Sequence, residues 1–179
     1  MGPSSWYRDG LGSVGKTKLI SYWKSDSDKA VITVIKIKTM SKAEIIAWIK
    51  ERIQMHFYEL QDTLGNRMEY AVQRTLDDLG ILYYANIKFR VNNTDAEIDI
   101  YLPQFRILLE IKFWSPKVNK VETFWVTGQF WVFQRLFSEF LKLPVPQRFV
   151  KVKNIEEATD FLASLVHDLN ASQGLPVSP

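Results

Sequence analysis

The chain has 179 residues, 46% of them hydrophobic and 13% aromatic, with 23 Lys+Arg against 20 Asp+Glu for a net charge of +3. That size suits one domain with a sizeable core, and the mild basic excess permits nucleic-acid binding without demanding it. No cysteine and two histidines, His56 and His167, exclude a disulfide scaffold, thiolate-bound zinc and a local histidine zinc motif.

The first elements in chain order are two strands, 17–24 and 30–38, with Ser25-Asp26-Ser27-Asp28 as a turn between them. They read as an N-terminal β-hairpin. Ser41 and Glu44 fit a capping box, and Ile46, Ile49, Ile53, Phe57, Leu60 and Leu64 recur at helical spacing, so one long helix is expected up to Gly65. His56 lies beside that stripe and reads as a packing or surface residue. A second helix, 66–79, carries Met68, Val72, Leu76 and Leu79 on one side, and Gly80 ends it.

Three strands are expected next, at 81–90, 96–102 and 105–114, separated by a loop at 91–95 and a turn at Pro103-Gln104. A third helix, 119–142, is apolar nearly all round, with Phe124, Trp125, Phe130, Trp131, Phe133, Phe137 and Phe140. A short strand at 148–153 and an amphipathic helix at 155–169 complete the order. The ends, 1–5 and 172–179, are rich in Gly, Pro and Ser and read as loose. The reading is a single α/β domain. It has a hairpin-and-helix extension at 1–63, a core at 64–153 and a C-terminal helix and tail at 154–179. No signal peptide or apolar run of about 18 residues is visible, so an intracellular, cytoplasmic protein without membrane association is expected.

Chemistry concentrates on two adjacent strands. Residues two apart in a strand share a face. Glu97, Asp99 and Tyr101 therefore point one way, and Ile98, Ile100 and Leu102 the other. On the next strand Leu108, Glu110 and Lys112 share a face opposite Ile107, Leu109, Ile111 and Phe113. Pairing the apolar rows leaves Asp99, Glu110 and Lys112 on one patch. Joining Leu102 to Phe105 sets Asp99 diagonal to Glu110, and joining Leu102 to Ile107 sets them opposite. A one-residue slip would drive Asp99 into the apolar row. Two close carboxylates repel unless a cation lies between them, and their oxygens suit Mg²⁺ or Mn²⁺. Glu97, on the same face, reads as solvated.

Asp99, ten residues, then Glu110-Ile111-Lys112 resembles the motif of the PD-(D/E)XK nuclease superfamily, and the order helix, three strands, helix, strand over about 64–153 resembles its core. The nearest resemblance is to archaeal and archaeal-virus members, including Holliday-junction resolvases. The resemblance implies a restriction-endonuclease-like fold and a Mg²⁺- or Mn²⁺-dependent DNA endonuclease in the cytoplasm, the host's if the source is viral. It implies Asp99, Glu110 and the Ile111 carbonyl as metal ligands, Lys112 as the catalytic cation, and Glu69 as a further catalytic carboxylate from the preceding helix. Ile98 stands where many members have proline. Gln129 with Phe133 matches half of the Gln-x-x-x-Tyr motif that some members carry in the later helix. Gln129, Lys16, Lys117 and Lys120 are candidate nucleic-acid contacts.

Two other readings compete. The nuclease fold could serve as a non-catalytic nucleic-acid-binding module, although the acidic pair and lysine are intact. Gly10-Leu11-Gly12-Ser13-Val14-Gly15-Lys16-Thr17 also fits the phosphate-loop pattern letter for letter. That chemistry needs a strand before the loop and a helix after it. Residues 1–9 offer no apolar strand, and residues 17–24 read as a strand where a helix is needed. The apolar surface of the long stripe and the aromatic helix predicts a homodimer.

Overall fold

A computed structural model describes residues 15–26, 37–113 and 119–172. Among them lie five strands, β1 (Thr17–Lys24), β2 (Tyr84–Val91), β3 (Thr94–Leu102), β4 (Ile107–Ile111) and β5 (Arg148–Val152). Five helices accompany them: α1 (Lys42–Phe57), α2 (Leu64–Leu79), α3 (Lys120–Val126), α4 (Phe130–Phe133) and α5 (Ile155–Ser172). A π-helical segment, Gln134–Leu141, continues α4. The chain is therefore α/β, with one sheet in the order β1-β2-β3-β4-β5. Among the described residues no helix is long and apolar enough to cross a membrane.

The sheet is mixed. β2 and β3 are antiparallel, with Tyr84 opposite Tyr101 and Val91 opposite Thr94. At one end of β1 the Asn92 amide donates to the Lys16 carbonyl at 2.7 Å, and at the other Ser25 donates to Tyr83 at 3.0 Å, so β1 runs antiparallel to β2. Gln147 donates to Arg106 at 2.8 Å and Lys112 to Val152 at 2.9 Å, which makes β4 and β5 parallel.

The chain divides into two compact units. The first comprises Met1–Trp23, Tyr84–Leu108 and Lys117–Phe149; the second comprises Lys24–Tyr83, Leu109–Pro116 and Val150–Pro179. In the first, Ile87, Phe89, Ile98 and Ile100 form a buried row, and α3 packs on β3. Tyr101 lies 4.3 Å from Phe137 by ring centroids, and Trp125 meets both Phe133 and Phe149. In the second, α1, α2 and α5 pack on one another and bury Ile49, Ile53, Met68, Leu76 and Leu162.

Several expected boundaries move. Of the strand expected at 30–38, residues 30–36 lie outside the described residues. Ile37 and Lys38 instead enter a turn, because the Ile37 carbonyl accepts from the Met40 amide at 3.0 Å. The described neighbour of β1 is β2. The long helix ends at Phe57, not Gly65: Tyr58 and Glu59 donate back to Met55 and His56, tightening the last turn. Thr63 then caps a new helix by accepting from Asn66 at 3.2 Å. The stripe from Ile46 to Leu64 thus spans two helices, and Leu64 is 45% exposed. The Ser41–Glu44 capping box and the left-handed Gly80 cap form as expected.

The helix expected at 119–142 is interrupted. Thr127 returns its hydroxyl to Thr123, and Gly128 adopts φ 74°, a left-handed stop that ends α3. Phe133, Leu136 and Phe137 are fully buried, whereas Val126, Phe130 and Phe140 stay exposed. Of the apolar surface expected to form an interface, Ile49, Ile53, Phe57, Phe133 and Phe137 are buried within the chain.

Candidate active site

β3 presents the alternation expected of it over its first part. Asp95 and Glu97 are exposed, Asp99 is half-buried, and Ile98 and Ile100 are buried. The alternation then stops, because Tyr101 shares the face of Asp99 yet is wholly buried. Its hydroxyl donates to the Pro144 carbonyl, and burial pushes its phenol up to about 12. β4 does not alternate at all: Ile107, Leu108, Leu109 and Glu110 are all buried, so this strand is covered on both faces.

Glu110 is 3% exposed. A buried carboxylate is tolerated only when donors or a cation meet its charge. Two residues on, the Lys112 amide extends the ladder to Val152. Ile111 and Lys112 are half-buried, as is Glu69. Glu69 lies in the second turn of α2 and accepts a long bond from Gln73 at 3.5 Å. Asp99 belongs to the first compact unit, and Glu69, Glu110 and Lys112 to the second. Among the described residues, no three His, Asp or Glu side chains gather in a group able to hold a metal ion.

The row containing Asp99 holds a residue that sequence reasoning passed over. The β2–β3 register sets Lys88 opposite Glu97 and Arg90 opposite Asp95, and between Ala85↔Ile100 and Ile87↔Ile98 it sets Asn86 opposite Asp99. Asn86 adopts φ 50° inside a strand. Among residues with side chains, asparagine enters that region most readily. Its amide donates to Glu97 at 3.0 Å, and Arg90 grips Asp95 with Nε at 2.6 Å. Glu97 is thus held by Asn86, where solvent alone was expected. The available signal was weak, because asparagine, a poor strand former, stands in a polar row that continues through Lys88 and Arg90.

The candidate nucleic-acid contacts separate. Lys16 and Lys120 are exposed, and Lys117 lies outside the described residues. Gln129 is not on a continuous helix with Phe133. It is the N-cap residue of α4, donates to Thr127 Oγ1 at 2.9 Å, and follows the break at Gly128.

The phosphate-loop pattern is described only at its C-terminal end. Residues 10–14 lie outside the described residues, but Thr17 opens β1, not a helix. The Lys16 amide donates to Asn92 Oδ1 at 3.0 Å. Gly15 has φ 88°, and a Cβ there would meet Asn92 Oδ1 at 2.5 Å. Glycine at 15 is thus explained by a close approach to the β2–β3 turn, and the Lys16 amide by a bond within the chain.

No family model matches the sequence, and neither the curated proteins nor the solved structures yielded a match.

Proposed function

We propose that the chain is a metal-dependent nuclease that hydrolyses phosphodiester bonds in DNA. The observation that carries the reading is the buried carboxylate of Glu110 on β4, two residues before Lys112, with Asp99 on the strand next in sheet order. A strand core that keeps a carboxylate at 3% exposure, beside a lysine and in a Glu-Ile-Lys motif, is costly for an ordinary sheet and expected of an active centre. Four turn residues, 103–106, part β3 from β4, which supports the second of the two registers considered from sequence.

The donor chemistry suits a hard divalent ion. The carboxylates of Asp99 and Glu110 and the carbonyl of Ile111 are all oxygen donors, the set Mg²⁺ or Mn²⁺ prefers. Such an ion supplies Lewis acidity toward the phosphate and lowers the pKa of a bound water. Lys112 offsets the charge that grows on the phosphate as water adds to phosphorus and the bridging P–O bond breaks. The leaving oxygen takes up a proton as it departs. Glu69, on α2, orients water or an outer ligand.

The direct test is incubation with branched, duplex and single-stranded DNA in Mg²⁺, Mn²⁺ or EDTA. Cleavage with either metal and none in EDTA is expected. DNA binding without cleavage under every condition would favour the non-catalytic module.

A further inference from the structure

The polar face of the β1–β2–β3 sheet carries a depression of about 280 Å³, lined by Ile20, Lys88, Phe89, Asp95, Ala96 and Glu97. Its composition is unusual for a phosphate-binding groove. Two carboxylates lie in its wall: Asp95, paired with Arg90, and Glu97, which accepts from Asn86 and carries the negative charge that would repel a phosphate. One apolar side chain flanks it on that face: Ile20, 47% exposed on β1. Next to Ile20 on the same face of β1 is Tyr22, 49% exposed, its ring 5.8 Å from that of Tyr84. Positive charge is set on β1 and β2, at Lys18 and Lys88, and negative charge on β3, at Asp95 and Glu97.

This division matches a nucleic-acid strand seen side-on. Phosphates favour the lysines, while carboxylates accept hydrogen bonds from amino groups on base edges. A base can reach such acceptors from a duplex only when it is unpaired and turned out, and aromatic or apolar side chains then receive its face. The left-handed Asn86 adds an independent sign. It holds Glu97 at 3.0 Å, and the register sets its position against that of Asp99, two residues further along the same strand as Glu97. Backbone held in a sparsely populated conformation concentrates at functional sites. Here it ties the wall of the depression to the row of the candidate metal ligand.

We propose that this depression receives one unpaired base of the substrate strand, beside the phosphate that is cut. Ile20 and Tyr22 cover the face of the base, Glu97 accepts from its amino group, and Lys88 lies against the backbone. The proposal rests on the nuclease reading and narrows its substrate class to DNA that displays an unpaired base, such as a bulge, flap or branch point. Guanine, whose ring N–H and amino group match a carboxylate with two parallel bonds, is the preferred occupant. Thymine carries no amino group.

The test is binding in EDTA, read by fluorescence anisotropy, to four labelled duplexes. One holds a bulged guanine, one a bulged thymine, one a bulged abasic residue, and one is fully paired. The guanine bulge should bind roughly tenfold more tightly than the thymine bulge, as one carboxylate–base pair allows. Glu97→Gln should erase most of that difference. Ile20→Ser should weaken both bulged-base ligands while leaving the paired duplex alone. Lys88→Ala should weaken all four alike. Equal wild-type affinity for the four duplexes, or undiminished guanine preference in Glu97→Gln, overturns the pocket. The same duplexes incubated in Mg²⁺ separate the two claims. Cleavage without preference removes the pocket and leaves the nuclease, whereas neither binding nor cleavage of any duplex removes both.

Discussion

His56 joins α1 to α2, and its removal should be costly. Both ring nitrogens lie 2.7 Å from a carboxylate, Nδ1 from Glu59 Oε1 and Nε2 from Asp78 Oδ2. Carboxylates only accept, so each of these bonds runs through an N–H of the ring. The His56 side chain is 7% exposed and that of Asp78 25%, which puts their bond in a partly desolvated setting. A hydrogen bond to a charged group contributes about 1.5–3 kcal/mol, and the void left by the ring adds about 1 kcal/mol. Arg52, 3.8 Å from the same Asp78 oxygen, offsets part of the loss. His56→Ala should therefore cost roughly 3 kcal/mol in urea denaturation at neutral pH, and His56→Gln, which keeps one donor, about half of that. Glu59 adds a pH dependence. Its carboxyl is held below the ordinary 4.5 first by the hydrogen bond from His56. A depressed folded-state value contributes stability that is in place above pH 4.5 and is lost as pH falls through the lower value. The gap between wild type and His56→Ala should narrow on that acid side. A loss under about 0.5 kcal/mol at pH 7 for His56→Ala would refute the reasoning.

Lys16→Ala should leave ATP binding undetectable, as in wild type, and should at most weaken DNA binding with a slightly shallower salt dependence. ATP hydrolysis lost in that variant would revive the phosphate loop. Sedimentation should show a homodimer held through the exposed Val126, Phe130 and Phe140, and Phe130→Glu should shift it toward monomer. A wild type that stays monomeric at micromolar concentration would remove that idea. Gly80→Ala should destabilise α2 by about 1 kcal/mol, read by thermal denaturation, because Gly80 holds φ 71° at the cap.

Local signals were legible where each residue's own chemistry decides the backbone. Ser41 with Glu44, and Gly80, state where helices begin and end, and Ile98 and Ile100 state which face of β3 is buried. Non-local choices were hidden. The run from Ile46 to Leu64 keeps its period across a break that Thr63 imposes by capping a new helix. Gly128 is a stop signal masked by aromatics on both sides. Burial of Tyr101 depends on Phe137 and Pro144, far away in sequence, so its polar hydroxyl misleads alternation. At the candidate site, the sequence motif named Asp99, Glu110 and Lys112. Asn86 went unread, because its role depends on register against β3.

The central claim is that Asp99, Glu110 and Lys112 form one catalytic centre, and parallel assays of their variants test it most directly. Metal affinity and the cleavage rate of a branched DNA should be measured in Mg²⁺ for wild type, Asp99→Asn, Glu110→Gln and Lys112→Ala. Both carboxylate variants should lose metal affinity and at least roughly a hundredfold in rate, while DNA binding persists or tightens as negative charge is removed. Lys112→Ala should keep its metal affinity and still lose the cleavage step. Wild-type cleavage rates in Asp99→Asn and Glu110→Gln would contradict the account.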